Sequence, residues 1–385
     1  MCVGFGAHRI HDYLSVYFRI LQPDRLKGEL LNADTERVIK RLALLFVLTL
    51  TAGCGTGVAV VPPSQPQVVL VRPSAPGPAL RQGLVVDQDR STLLVSLDGH
   101  PYARLDHAHS WWATIDTARN AAANAAFKTL AQAIPMETLV EGPGGRWYLW
   151  DSAARLHPLA EPRLLLAGGI VASAKSHGTD DTTAYEVYIS VRRHGRLLMP
   201  PSRHLRFISH DLIATETQAV DLVTGTRWSF SRNCVPAGSS GVELFVACTP
   251  ASLNRPAHVI ALAAEGKRTL GLLPKGLFVY EAMLSPDGNY ISANLSPGCG
   301  PSYSFLVPTR GGHTRPLAGG AHWSPKTPPS KTLGWTKNNR LVVFIARSGS
   351  CESGSGSGIY LVNPRTLGRR FVYPSASAMW NPGVR

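Results

Sequence analysis

The chain has 385 residues, with 39 lysines and arginines against 25 acidic residues, a formal charge of +14 at neutral pH. The basic residues are scattered singly, which argues against the clustered positive stripe of a nucleic-acid binder and suits a surface that meets anionic lipid heads or wall polymers. The 36 glycines and 29 prolines require many turns, and the part beyond the N-terminal region is long enough for one large β domain or two ordinary ones.

Residues 1–37 carry Tyr13, Tyr17 and Phe18 among scattered charges and do not fit ahead of an export signal. They read as a mis-set start or a disordered leader, with translation beginning at Val38. A real cytoplasmic extension is the other reading. Residues 38–53 have the parts of a signal peptide: basic Lys40-Arg41, the apolar run Leu42 to Leu50, and small residues Thr51-Ala52-Gly53. That run is far short of the ~20 residues needed to span a bilayer. Cys54 follows directly. Thr51-Ala52-Gly53-Cys54 resembles the lipobox of bacterial lipoproteins, although Thr51 stands where leucine is usual. The resemblance implies diacylation of Cys54 and a lipid-anchored protein of the cell membrane facing the extracytoplasmic side; an ordinary cleaved signal is the alternative. Loss of residues 1–53 removes seven basic and five acidic residues and leaves a formal charge of +12.

After the lipidated cysteine, residues 54–82 read as a tether. Pro62, Pro63, Pro66, Pro73, Pro76 and Pro78 deny it a helix and favour extended polyproline II, which at ~3.1 Å per residue holds a folded part tens of Å from a membrane.

Residues 83–385 read as an all-β domain. One unit recurs: an alternating apolar run, a polar or glycine turn, and a second run that often contains Arg and Leu. It appears at 92–105, 146–159, 185–199, 218–230, 258–270, 303–317 and 358–373, a spacing of about 40 residues. A period of that size with several strands per unit points to the blades of a propeller, here seven four-stranded ones. Two units are legible in full. Met283-Leu284-Ser285 leads through the turn Pro286-Asp287-Gly288 into a second strand, 289–294, and then the hairpin at 303–317. The next runs from Leu333-Gly334-Trp335-Thr336 through Lys337-Asn338-Asn339 to a strand at 340–346 and the hairpin at 358–373. Ser285-Pro286-Asp287-Gly288 followed by strand and hairpin resembles the TolB-type and WD-like propeller families, over 277–376 most strongly.

The two ends complement each other. The strand that begins at Gly83 lacks a first strand before it, and Ala378-Met379-Trp380 looks like a first strand with nothing after it. Pairing them closes the ring and removes exposed sheet edges; a frayed tail is the alternative. One segment does not fit a blade. Residues 117–133 are alanine-rich, with Asp116 as N-cap, Pro135 as a stop, and Phe127, Leu130 and Ile134 on one face of the predicted helix. It serves either as packing between blades or as a lid over the channel.

An exported protein can oxidise its cysteines. Cys234 and Cys248 flank a loop with Pro236, Gly238 and Gly241, so they can pair locally. Cys299 and Cys351 fall at equivalent positions of neighbouring blades, between second and third strands, so a bond between them staples two blades. A four-thiolate zinc site fits poorly because no CxxC pair occurs.

No Gly-x-Ser-x-Gly elbow, phosphate-binding glycine loop, His-Glu-x-x-His or calcium loop is present in the sequence. Gly238-Ser239-Ser240-Gly241 reads as a flexible loop. No cofactor or metal is expected, and no residue is assigned as catalytic. The ligand-binding candidates are His107 and His109, which as i and i+2 residues share one strand face, the neighbouring Trp111 and Trp112, and the acidic pair Asp180-Asp181. The pattern as a whole points to an anchored propeller that binds a protein, peptide or wall polymer, with no nucleic-acid partner. An enzyme, a lyase or hydrolase using the central channel, is the alternative.

Overall fold

The computed structural model describes residues 68–70, 82–88, 91–106, 109–110, 121–142, 145–151, 155–177, 185–298, 301–319, 323–324, 326–346, 357–374 and 378–381. Strand β1 (Val68–Leu70) comes first, followed by β2 (Gly83–Gln88), β3 (Ser91–Val95) and β4 (Pro101–Asp106) of blade 1. Blade 2 contains β5 (His109–Ser110), β6 (Leu139–Gly142), β7 (Arg146–Trp150) and β8 (Leu156–Leu159), with helix α1 (Ala121–Ala133) inserted after β5. Blade 3 has β9 (Arg163–Leu166), β10 (Ile170–His177), β11 (Glu186–Arg193) and β12 (Arg196–Leu197). Blade 4 has β13 (Arg206–Ser209), β14 (Leu212–Ala214), β15 (Gln218–Asp221) and β16 (Arg227–Ser229). Blade 5 has β17 (Cys234–Ser239), β18 (Leu244–Cys248), β19 (His258–Ala263) and β20 (Gly266–Leu272). Blade 6 has β21 (Phe278–Leu284), β22 (Tyr290–Ser296), β23 (Tyr303–Pro308) and β24 (Arg315–Pro316). Blade 7 has β25 (Ser330–Trp335), β26 (Leu341–Ile345), β27 (Gly358–Val362) and β28 (Arg369–Tyr373). The last strand, β29 (Ala378–Asn381), returns to blade 1.

These seven antiparallel sheets make a seven-bladed β-propeller. All seven hairpins expected from the sequence are third-and-fourth-strand pairs, one per blade. Closure is by the two segments named from the sequence: Leu84 pairs with Trp380, Val85 with Met379 and Val86 with Ala378, antiparallel. Blade 1 also gains a fifth strand that the reading of 54–82 as a plain tether did not include. In β1, Val68, Val69 and Leu70 pair with Leu105, Arg104 and Ala103 on the outer edge of β4. Two valines and a leucine between prolines suffice for this, because an added edge strand needs only a short extended run.

Each sheet is faced by a neighbour on both sides, so its middle strands are the most buried. β18 and β26 are buried at every position, whereas the outer β28 is mostly exposed. Separate apolar clusters fill the seams. Leu306, Leu317, Leu341 and Val343 lie between blades 6 and 7, and Leu84, Val95, Val342 and Ile359 close blade 7 on blade 1. The largest cluster spans blades 2 to 4 and takes in the helix, with Phe127, Leu130 and Ile134 buried. Phe127 stacks on Trp147 of β7 at 5.2 Å, and the Trp147 indole N–H donates to Asn124 Oδ1 at 3.1 Å. On its other side α1 packs against β10 and β11. Thus α1 wedges blades 2 and 3 together, which is the packing role and not the lid. Residues 116–120 lie outside the described residues.

The turns obey local chemistry. In Ser285-Pro286-Asp287-Gly288 the Ser285 hydroxyl donates to Asp287 Oδ1 at 2.6 Å, and the Gly288 N–H donates to Ser285 O at 2.9 Å with glycine at φ 70°. Arginines in the outer hairpins explain their recurrence in the repeat. Arg268 of β20 donates to Thr309 O of blade 6, Arg315 of β24 to the carbonyls of Pro364 and Arg365 in blade 7, and Arg370 of β28 to Leu97 O in blade 1. Each reaches the third-to-fourth turn of the following blade, the last one across the closing seam.

Two local readings need correction. Cys234 and Cys248 do not flank a loop but are direct cross-strand partners in β17 and β18, joined by a disulfide. Pro236 lies inside β17 opposite Val246, beside a register shift that leaves Ala237 without a partner across the ladder. Gly238 and Ser239 likewise belong to β17 and are not loop; the chain turns over 240–243, which takes in Ser240 and Gly241.

Candidate functional site

Antiparallel succession puts first-to-second and third-to-fourth turns at one end of every blade, the turn face. Second-to-third and blade-to-blade connections lie at the other, the loop face. On the turn face Asp98, Asp151, Asp221 and Asp287 are occupied in building turns. Burial alone would raise Asp221, but the Ser239 hydroxyl at 2.7 Å and the N–H groups of Val223 and Thr224, each at 2.9 Å, outweigh it and hold the group below the usual carboxylate range. Asp287 is held low in the same way by Ser285 and Asn289.

The loop face of blades 3 to 5 carries a different arrangement. Between β12 and β13 the chain places Arg203 and His204 side by side. Arg203 Nη1 lies 2.7 Å from Glu186 Oε1 at the start of β11, and its guanidinium stands 5.5 Å over the Tyr188 ring. The Tyr188 hydroxyl donates to Glu186 Oε2 at 3.3 Å, and His177, the last residue of β10, meets the same ring edge-on. His204 turns the other way, its Nε2 3.3 Å from Glu216 Oε1 in the β14–β15 connection. Glu216 Oε2 in turn lies 3.1 Å from Arg232 Nε, on the way into blade 5. A line of paired side chains, with the charges of Glu186, Arg203, Glu216 and Arg232 and the ring of His204, therefore crosses three blades. The Arg203 and Glu186 side chains are 50% and 53% exposed, and such pairs contribute only ~0–1 kcal/mol each to stability. Their effect is to hold two guanidinium planes and a tyrosine face in fixed positions on the surface. That set suits carboxylates and planar polar groups of a ligand.

Near the ring axis, first strands bring Arg163, Arg206, Glu281 and Lys331 into β9, β13, β21 and β25. Glu281 is occupied, since its Oε2 accepts from Asn294 Nδ2 at 2.8 Å. Beside it Tyr280 is pushed up by burial and then by the Glu281 charge, with its hydroxyl 2.7 Å from Ser302 Oγ. Among the described residues no three of His, Cys, Asp and Glu gather as a metal-binding group.

Of the residues singled out from the sequence, His109 begins β5, opposite Glu141. Its side chain lies outside the described residues, as do all of Cys54, His107, Trp111, Trp112, Asp180, Asp181, Cys299 and Cys351. β10 ends at His177 and β11 begins at Glu186, so the Asp180-Asp181 stretch connects the two strands that carry the Tyr188 cluster. Sequence reasoning did not select Glu186, Tyr188, Arg203, His204, Glu216 or Arg232. They are single charges and one tyrosine spread from 186 to 232, and only the blade repeat brings them together. The available signal was positional, since Arg203-His204 and Arg232 each precede the first strand of a blade.

No protein-family model matches the chain, and no curated protein matches it. Solved structures do. TolB from Acinetobacter baumannii is similar at 12% identity and a TM-score of 0.32, over 79% of this chain and 68% of that one. An acylaminoacyl peptidase from Pyrococcus horikoshii is similar at 9% identity and a TM-score of 0.41, over 73% of this chain and 47% of that one. Oligopeptidase B from Leishmania major matches at 8% identity and a TM-score of 0.41, over 76% of this chain and 48% of that one. The chain thus spans less than half the length of these two peptidases.

Proposed function

We propose that this chain is a lipid-anchored, extracytoplasmic propeller whose loop face binds a protein, peptide or cell-envelope component. The observation that carries the binding role is the line Glu186–Arg203, His204–Glu216–Arg232, which crosses blades 3 to 5 with its charges paired to one another at an exposed surface. A ligand that offers a carboxylate can exchange for one of these internal partners without leaving a buried charge behind. Support for the anchor comes from the basic-apolar-small-Cys54 order of residues 40–54.

The test has two parts. A photo-cross-linker at Tyr188 in the full chain should capture one discrete envelope component in intact cells, and Arg203→Glu should remove that adduct while leaving the melting temperature within about 2 °C. Adducts that persist unchanged in Arg203→Glu would refute binding through this face. For the anchor, Cys54→Ser should abolish labelling by a fatty-acid analogue and release the protein from membranes. Labelled, membrane-bound mutant protein would refute lipidation at Cys54.

A further inference from the structure

Forward arginine bridges are seen at only some of the seams between blades. At the seams 5–6, 6–7 and 7–1 the fourth-strand arginine bridges forward to a turn carbonyl of the next blade. At the seam 4–5 the corresponding residue, Arg227 of β16, points backward and donates to Leu198 O of blade 3 at 2.8 Å. The forward bridge is missing, and a groove of about 510 Å³ opens in its place between β16 and the β19–β20 hairpin. Its lining includes Arg227, Trp228, Val242, Leu262, Ala263 and Lys267. At the mouth Val242 is 74% exposed, on a turn that meets the β15–β16 turn where Thr226 Oγ1 donates to Gly241 O.

Three features of the groove define its occupant. The walls are mainly apolar, so an aliphatic side chain gains by burial there. The ionic residues of the lining are both cations, and Lys267 has no carboxylate partner among the described residues. Finally, β16 is the outermost strand of its sheet, so a row of backbone groups faces the groove's open side. The molecule itself shows how a blade uses such an edge: β1, Val-Val-Leu, adds to the outer strand of blade 1.

We propose that the groove between blades 4 and 5 is a docking site for an extended peptide segment of a partner protein. The segment adds along β16 with an aliphatic side chain against Trp228 and Val242 and a carboxylate toward Lys267. This site is separate from the loop face, so it stands or falls independently of the function proposed above.

The experiment selects a random dodecapeptide library, displayed on phage, against the purified full chain. Enriched peptides should combine an aliphatic residue with an Asp or Glu within three positions, and should bind at least tenfold more weakly to Val242→Asp and to Lys267→Glu. Both positions are on exposed turns or hairpin, so melting curves should match the parent. Reselection on Lys267→Glu should replace the acidic residue with a basic one, and Arg203→Glu should leave peptide binding unchanged. Failure to enrich that pattern, or enriched peptides that bind the two groove variants as tightly as the parent, would overturn the site. Self-association of the full chain that Val242→Asp abolishes would also overturn it, by making the occupant a second copy.

Discussion

The seam between blades 6 and 7 and the seam between blades 2 and 3 solve one packing problem by different means. At 6–7 a buried polar network joins the sheets. Asn294 Nδ2 donates to Thr332 O and Glu281 Oε2, while its Oδ1 accepts from the Thr332 N–H at 2.9 Å and the Ser304 hydroxyl at 2.6 Å. Ser292 and Thr332 hydroxyls meet at 2.6 Å, and the Ser304 N–H donates to Ser330 Oγ. Each group is satisfied by its neighbours, so the network fixes how one blade stands on the next. At 2–3 the helix α1 fills the space with apolar side chains, and Asn124 with Trp147 is its main polar tie. A hydrogen-bonded seam specifies register; a helix-filled seam supplies buried area. The same ring tolerates both because these two seams belong to separate clusters.

That contrast presumes a closed ring, and the largest effect should come from opening it. Removing residues 376–385 exposes the edge of β2 along Leu84 and Val85, both buried in the intact ring. Exposure of two such side chains alone costs roughly 3–6 kcal/mol, and the freed edge promotes association. A melt of the full chain beside its 1–375 truncation, with light scattering, checks this. An unchanged melting temperature and no aggregation would mean that closure contributes nothing.

Trp147→Ala should come next, at about 3–5 kcal/mol, because it removes a buried ring stacked on Phe127 and leaves a cavity at the helix-filled seam. Denaturant unfolding gives the value. A loss under 1 kcal/mol would show that α1 does not hold blades 2 and 3.

Asn294→Ala should cost less, about 1–3 kcal/mol, the penalty for stranding the partners that Asn294 serves. If register is what the network supplies, hydrogen exchange should quicken in β22 and β25 while β6 and β7 stay protected. Uniform exchange across all four strands would remove the distinction between the two seams.

The smallest effect concerns Glu137, just after α1, whose carboxyl burial pushes up to about 7 from an ordinary value of 4.5. With the native value the higher one, the folded state binds more protons between these limits. Stability from this group is therefore full below about pH 4.5, falls as pH rises to about 7, and is level above. Glu137→Gln should flatten the urea-midpoint profile over that window by on the order of 1 kcal/mol. A profile with the same slope in both proteins would assign the pH dependence elsewhere.

The two seams also differ in how far they can be read in the sequence. Blades 6 and 7 repeat a turn, a strand and a hairpin within about 45 residues, and local turn chemistry such as Ser285 to Gly288 marks each step. Blades 2 and 3 have short first strands, β5 of two residues and β9 of four, too brief for alternation to register. Closure was legible because each end lacked what the other carries. β1 was not, since prolines on both sides mask three apolar residues, and the Cys234–Cys248 bond was legible as a pair but not as neighbours across a ladder. The loop-face line was illegible for another reason: its members touch only once blades 3, 4 and 5 stand side by side.

The pairing of β2 with β29 has a consequence for the order of folding. Every other strand pair within the four-stranded blades joins segments close in sequence, whereas Leu84 must find Trp380 from across almost the whole domain. The entropy of closing so long a loop grows slowly with its length, but it is repaid only after the intervening blades are in place. Closure is then the last event, and until it occurs the chain is an open arc with β2 unpaired on one side. That arc, with one bare strand edge, is the species prone to pair with another chain before the ring is complete.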